Sequence, residues 1–255
     1  MLIGNRSVKT IFKSIFTTRH YKAFLNMLHI YDNFLNNFYR YFFAKGIYPY
    51  SPLLNTPIGI VSPTLYSSHD LLTVNEIFCR LDYESDNEKK VIVDIGSNIG
   101  ISALYFLSRN VNNMCYLFEP NPKNIERLRF NLTNYEGKYS LYENAVANFS
   151  GSIEFGIEET GRYGGIEVES ETKILVNCLS INTILKELLD LHEFIDILKI
   201  DTEGSEIETI MSIDDKYFEK IKSIYVETEE DIKLNYSHFS KYRYGPILKL
   251  INKNY

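Results

Sequence analysis

Two acids and two glycines, Asp94, Gly96, Gly100 and Glu119, are spaced to hold a nucleoside-bearing ligand. Asp94 ends the apolar run Val91-Ile-Val-Asp-Ile95, and the turn Gly96-Ser97-Asn98-Ile99-Gly100 follows. Glycines there let the backbone turn tightly and approach a ligand. A helix beginning near Asn98 adds free N–H groups and the positive end of its dipole. Glu119 closes the next apolar run, Tyr116-Leu-Phe-Glu119, where a carboxylate can accept bonds from both hydroxyls of a ribose. A dinucleotide would want G-x-G-x-x-G, with a glycine where Asn98 stands, so that the pyrophosphate can approach. Asp94 would repel a pyrophosphate but suits the ammonium of a methionine moiety. The set therefore favours S-adenosylmethionine over NAD, the other reading being a plain strand–helix turn.

A second pair of acids lies in Lys199-Ile-Asp201-Thr-Glu203, at the end of a later apolar run. In open parallel sheets ligands bind beyond the carboxyl ends of the strands. Asp94, Glu119, Asn144 and Asp201 all reach that edge. Methyl transfer from a sulfonium needs an acceptor oxygen held about 3 Å from the methyl and water excluded. A base that takes the hydroxyl proton adds a further factor. Asp201 and Glu203 are the candidates for base and substrate orientation. Alternatively, Glu203 caps the next helix and Asp201 pairs with Lys199. Glu206 reads as a structural acid. His69 is a third candidate base, although five scattered histidines favour an exposed role for it. Asp201 and Glu227 could share a divalent cation, but no ligand spacing compels a metal site. Asn144 reads equally as a ligand contact or a strand-end cap.

The chain resembles the FkbM-type methyltransferases. The matching residues are Val91–Gly100, Phe118-Glu-Pro-Asn-Pro122, Glu143-Asn-Ala-Val-Ala147 with Gly151, Asp196-Ile-Leu-Lys-Ile-Asp-Thr-Glu-Gly-Ser-Glu206 and Tyr225-Val-Glu227. The resemblance covers roughly residues 58–230. It implies a class I methyltransferase fold and methyl transfer, usually to a hydroxyl of a sugar or natural product, without naming the acceptor. It puts the turn Gly96-Ser97-Asn98 on the cofactor, with Gly96 and Asn98 at its methionine end and Asn144 and Ala145 at the adenine. The family also carries a segment like Asn75–Tyr83 upstream of the first strand, where Glu76 either touches the cofactor or anchors a helix. The rival functions are an NAD- or nucleotide-sugar-dependent oxidoreductase on a similar fold, and a non-catalytic partner subunit.

The elements that must position these residues alternate. Strands are expected at Val91–Ile95, Cys115–Glu119, Ser140–Ala145, Ile195–Asp201 and Ser223–Glu227. Helices are expected at Ile99–Ser108, Pro122–Asn134, Ile181–Leu191 and Ser205–Ile213. Most of these strands are continuous apolar runs, as in buried parallel sheets. Ser152–Phe155 and Lys173–Asn177 suggest an added hairpin, and the polar Gly156–Glu171 between them is either a lid or an exposed loop. A helix at Tyr244–Ile251 would leave the fold without the strand 6/7 hairpin that usually ends it. Upstream, apolar side chains at helical spacing predict one long helix over residues 9–45, stopped by Gly46 and Pro49. Residues 47–68, with four prolines, read as a linker holding a short strand at Ile58–Val61, and Leu71–Leu81 as a helix. The expected division is an extension over 1–57 and a methyltransferase domain over 58–255.

Composition bounds the rest. At 255 residues the chain can hold one large domain with an appendage. Residues 1–50 carry seven basic side chains and one acid, so against a net charge of −6 the remainder carries −12. So acidic a domain is a poor partner for nucleic acid. Three scattered cysteines form neither a disulfide framework nor a zinc motif, which fits a cytoplasmic protein. No stretch has the form of a membrane span or signal peptide. The basic, aromatic N-terminal helix could cover the domain, form a homodimer or rest on an anionic membrane; packing or dimerisation is favoured because its apolar face suits a partner helix.

Overall fold

A computed structural model describes residues 2–3, 6–7, 18–157, 164–165, 172–230, 232 and 238–255. The chain divides into two compact units, Met1–Asn87 and Glu88–Tyr255. That boundary lies thirty residues beyond the expected one at 57/58, because Ser68–Cys79 packs with the N-terminal helices.

In the N-terminal unit the expected single helix is two. Helix α1 spans Thr18–Ile30 and α2 spans Phe34–Phe43. Between them the chain turns: Tyr31 bridges to Leu54, and the Asp32 amide donates to the Leu53 carbonyl at 3.1 Å. Asn33 then caps α2 by accepting from the Asn36 amide. Asp and Asn side chains compete for backbone groups and favour such ends over helix interiors, which the hydrophobic spacing alone does not register. Residues 9–17 of the expected helix lie outside the described residues. The prolines frame a hairpin of β1 (Leu54–Thr56) and β2 (Gly59–Val61). Helix α3 (Ser68–Val74) starts on a reciprocal Ser67–Asp70 capping box and runs into a π-helical turn, Asn75–Cys79. Helix α1 docks on that turn through Asn26, whose amide donates to the Cys79 carbonyl at 2.8 Å, and on the segment just after it through an Arg19–Asp82 ion pair.

The second unit is built on a seven-stranded sheet. In chain order its strands are β3 (Val91–Ile95), β4 (Met114–Phe118), β5 (Tyr139–Tyr142), β9 (Ile195–Ile200), β10 (Ile221–Glu227), β11 (Phe239–Tyr244) and β12 (Ile247–Asn252). Their spatial order is β11-β12-β10-β9-β3-β4-β5. The five strands from β10 to β5 are parallel; β12 is antiparallel to both its neighbours, β10 and β11, so β11 runs in the direction of the five. Helices α4 (Ile101–Leu107), α5 (Pro122–Asn131), α6 (Ile181–Leu191), α7 (Glu206–Met211) and α8 (Asp215–Phe218) connect the strands. This is the class I methyltransferase arrangement, with the chain reversing direction across the sheet between β3 and β9.

The terminal hairpin is therefore present, and the expected helix at Tyr244–Ile251 is strand β12 with the end of β11. A short run such as Ile247-Leu-Lys-Leu-Ile251 does not tell helix from strand by periodicity. Gly245 decides it locally: with φ +65° it takes the first central position of a two-residue connection between paired Tyr244 and Ile247. Strand β12 then buries Ile247, Leu248 and Leu250 against β10.

A smaller sheet branches from the first. The expected strand Ser140–Ala145 splits: β5 stays in the main sheet, whereas β6 (Ala145–Ala147) pairs in parallel with β8 (Thr172–Ser180). Strand β7 (Gly151–Ile157) pairs antiparallel with β8, which is the expected added hairpin. Glu143 and Asn144 sit where the chain changes sheets. Most of the Gly156–Glu171 lid-or-loop segment lies outside the described residues.

Candidate functional site

The site grows from the turn after β3. Gly96 takes φ +76°, and a Cβ on it would stand 1.7 Å from the Asp201 carbonyl oxygen. Only glycine lets this turn lie against the end of β9. The amides of Gly96 and Ser97 both donate to the Phe118 carbonyl, at 3.0 and 3.1 Å, which fastens the turn to β4 as well. Asn98 sits at φ +49°, a conformation most residues avoid but Asn tolerates. There its amide donates to Glu119 Oε2 at 2.8 Å.

Glu119 is 5% exposed. Besides Asn98 it accepts from the Asn121 amide at 2.9 Å and from Asn124 Nδ2 at 3.4 Å, both on Oε1. Burial pushes its pKa up to about 7, and these three donors, with the charge of Lys199, only partly offset that. Glu119, Gly96, Asn144, Ala145 and Asp201 line one cleft of about 340 Å³ of open space. Ile95, Phe118, Pro120, Val146, Phe155 and Thr202 complete the lining described. The cleft thus opens at the carboxyl ends of β3, β4 and β9, bounded by the smaller sheet.

Other expected site residues do not reach this lining. Asp94 is fully buried: Lys199 Nζ lies 3.0 Å from its Oδ1, and Ser102 donates to its Oδ2 at 2.5 Å. Its carboxylate supports the turn from behind. Ser97 is also buried, its hydroxyl donating to the Asp94 carbonyl at 2.8 Å. Gly100, at φ +85°, lies against Leu128, where a Cβ would come within 3.1 Å of that side chain. Glu203 is exposed, one residue past the cleft, and holds φ +57°. His69 lies in the first turn of α3, in the N-terminal unit, with Glu76 in the π-helical turn that follows. Among the described residues no three His, Cys, Asp or Glu side chains are grouped to hold a metal ion.

Two residues carry more of the site than their sequence context suggests. Lys199 is 1% exposed and spans the two acids, 3.0 Å from Asp94 and 3.1 Å from Asp201 Oδ2. Its ammonium also donates to the carbonyls of Ile95 at 3.2 Å and Gly96 at 2.9 Å. Burial opposes its charge, but Asp201 and Asp94 outweigh burial and raise its pKa above the ordinary value. A charged residue inside the apolar run Ile195–Ile200 was the signal available for it. Glu206 binds the loop after β9, accepting from the amides of Thr202 at 2.8 Å and Gly204 at 3.0 Å. So Asp201 does pair with Lys199, and Glu206 gathers the loop amides. Phe155 reaches the cleft from β7, a placement with no sequence signal.

A family model for the methyltransferase FkbM domain matches residues 94–246, more than half of the chain. The chain belongs to the FkbM methyltransferase family. It is a methyltransferase, which displaces the oxidoreductase alternative. It is 27% identical over 189 residues to methyltransferase sdnD of Sordaria araneosa, covering 61% of this chain and 73% of that protein. It is 30% identical over 133 residues to hexuronic acid methyltransferase AglP of Haloferax volcanii, covering 51% of this chain and 53% of that one. The chain thus spans about half the length of the second relative. The crystal structure of methyltransferase FkbM from Methylobacillus flagellatus KT superposes with a TM-score of 0.44 at 12% identity, over 72% of this chain and 54% of that one.

Proposed function

We propose that this methyltransferase moves the methyl group of S-adenosylmethionine to a hydroxyl oxygen of a sugar, glycan precursor or small natural product. The observation that carries the cofactor is Glu119, a buried carboxylate at the edge of a cleft whose other polar lining includes Asn144 and the Gly96 turn. Each carboxylate oxygen can accept two bonds, so Oε2, which takes the Asn98 amide, has capacity for a ribose hydroxyl. The apolar lining of Phe118, Val146 and Phe155 suits a purine face and keeps water away. When bound, the cofactor supplies an activated methyl on a sulfonium whose leaving group is a neutral thioether.

The protein's own part is orientation and proton handling. Asp201 lines the cleft at the end of β9, within reach of an acceptor that enters beside the methionine end, and is the first candidate to take the hydroxyl proton. Glu203, exposed on the same loop, is the second and would orient the acceptor. The name of one relative, a hexuronic acid methyltransferase, supports a saccharide acceptor. The test is calorimetry with S-adenosylhomocysteine and NAD, then a methyl-transfer assay with glucuronic acid, galacturonic acid and neutral monosaccharides. Binding of S-adenosylhomocysteine without NAD, and methylation of a hydroxyl, is the expected result. Binding of neither cofactor would sink the proposal.

A further inference from the structure

Lys199 is a buried cation whose partners include four residues, and three of these line the cleft: Ile95 and Gly96 through their carbonyls, Asp201 through its carboxylate. The fourth, Asp94, is fully buried behind the turn. A lysine present merely to neutralise Asp94 would have no need of the other three contacts. An ammonium has three protons and no acceptor, so these contacts share three donors, and each draws an oxygen toward the same point. The bonds to Ile95 and Gly96 hold the carbonyl side of the glycine turn, whose amide side is held by Phe118. The bond to Asp201 holds β9 to the same point, where the Gly96 backbone meets the Asp201 carbonyl with no room for a side chain.

We infer that Lys199 is a positioning residue for cofactor binding: its ammonium sets the Gly96 turn and the Asp201 carboxylate in one fixed geometry. This rests on the cleft being the S-adenosylmethionine site. Lys199 does not itself line the cleft. It acts through the oxygens that it holds, so its loss loosens the cradle without removing any contact to the ligand.

Lys199→Met alone strands Asp94 as a buried charge, which a folding defect could explain. The informative comparison is Asp94→Asn against the double variant Asp94→Asn/Lys199→Met. The first keeps the lysine with its three cleft-side contacts; the second removes the buried pair together and leaves Met in a similar volume. Thermal unfolding gives the stability of each, and calorimetry with S-adenosylhomocysteine gives its affinity. The double variant is expected to bind about tenfold or more weakly than Asp94→Asn, on the scale of one lost charge-assisted hydrogen bond. Its melting temperature is expected to lie near that of Asp94→Asn. Affinities within about threefold of one another would overturn the inference and leave Lys199 as a counter-ion. Should the double variant melt far below Asp94→Asn, amide exchange decides: faster exchange at Gly96 and Ser97 than in β3 supports the inference, and uniform loss of protection overturns it. If the wild type itself fails to bind S-adenosylhomocysteine, it is the cofactor reading that fails.

Discussion

Glu119 must be charged to serve a ribose, in a place that resists charge. Its pKa of about 7 lies above the ordinary value of 4.5, so the folded protein keeps that proton over a window in which the unfolded chain has lost it. The stability it contributes is therefore fully present below pH 4.5 and is lost as the pH rises toward 7. Ligand binding runs the other way. Affinity for S-adenosylhomocysteine is expected to weaken as the pH falls below about 7, because a protonated Glu119 offers fewer acceptor sites. Calorimetry from pH 5.5 to 8.5 reads this directly. Glu119→Gln is expected to flatten the profile and weaken binding about ten- to a hundredfold, from bonds worth about 1.5–3 kcal/mol each. A pH profile equally steep in both proteins would remove Glu119 from the ribose. The proton taken from the acceptor is a separate question at the same scale. Asp201→Asn and Glu203→Gln keep size and remove charge, and loss of the base is expected to cut turnover about 10²–10⁴-fold with cofactor affinity nearly unchanged. Normal turnover in both variants, with EDTA present, would clear both residues. Activity lost in EDTA and restored by Mg²⁺ would instead favour a cation held with Asp201 and Glu227.

The elements decide how near these residues come. Strands β3 and β9 approach so closely that Gly96 has no room for a methyl group against the Asp201 carbonyl. Gly96→Ala is expected to destabilise the protein by about 3 kcal/mol, the upper end of the overpacking range, since the neighbour is backbone and cannot swing away. Urea unfolding measures it, and a loss under 1 kcal/mol would mean that the strands separate easily. The loop after β9 depends in turn on Glu206 in the first turn of α7. Glu206→Ala leaves the Thr202 and Gly204 amides without that acceptor, so turnover should fall more than S-adenosylhomocysteine affinity. The sequence made the parallel strands legible, because buried strands are apolar along their whole length and glycine marks the turn. It hid the terminal hairpin, where a five-residue apolar run fits two periods, and the break at Asp32-Asn33, where two capping residues interrupt a pattern that continues around them. At the site, Glu119 and the turn were readable as types at a spacing. The withdrawal of Asp94 into an ion pair was not, because it depends on which way Lys199 points from β9.

At the scale of the molecule, the features assigned to the chemistry fall on one side of the unit boundary. The family match at 94–246, the cleft residues from Ile95 to Thr202 and the seven-stranded sheet all belong to Glu88–Tyr255. That unit has its own core: Val93, Leu198, Ile200, Ile224 and Leu250 from the sheet pack with Ile184, Leu185 and Leu188 of α6. A fragment of residues 88–255 is therefore expected to unfold cooperatively and to bind S-adenosylhomocysteine within a few-fold of the full chain. A fragment starting at residue 58 cuts through the N-terminal unit instead. It keeps α3 and the π-helical turn, with Leu65, Leu71 and Phe78 buried in the whole protein, but lacks α1, α2 and β1. That fragment is expected to aggregate more than the shorter one, as light scattering would show. Turnover adds a further distinction. His69 and Glu76 are absent from residues 88–255, so a fragment that binds cofactor and still methylates the acceptor removes His69 as the base. One that binds but does not turn over assigns the N-terminal unit a part in acceptor handling. A fragment of residues 88–255 that fails to fold would show that the two units form one cooperative structure.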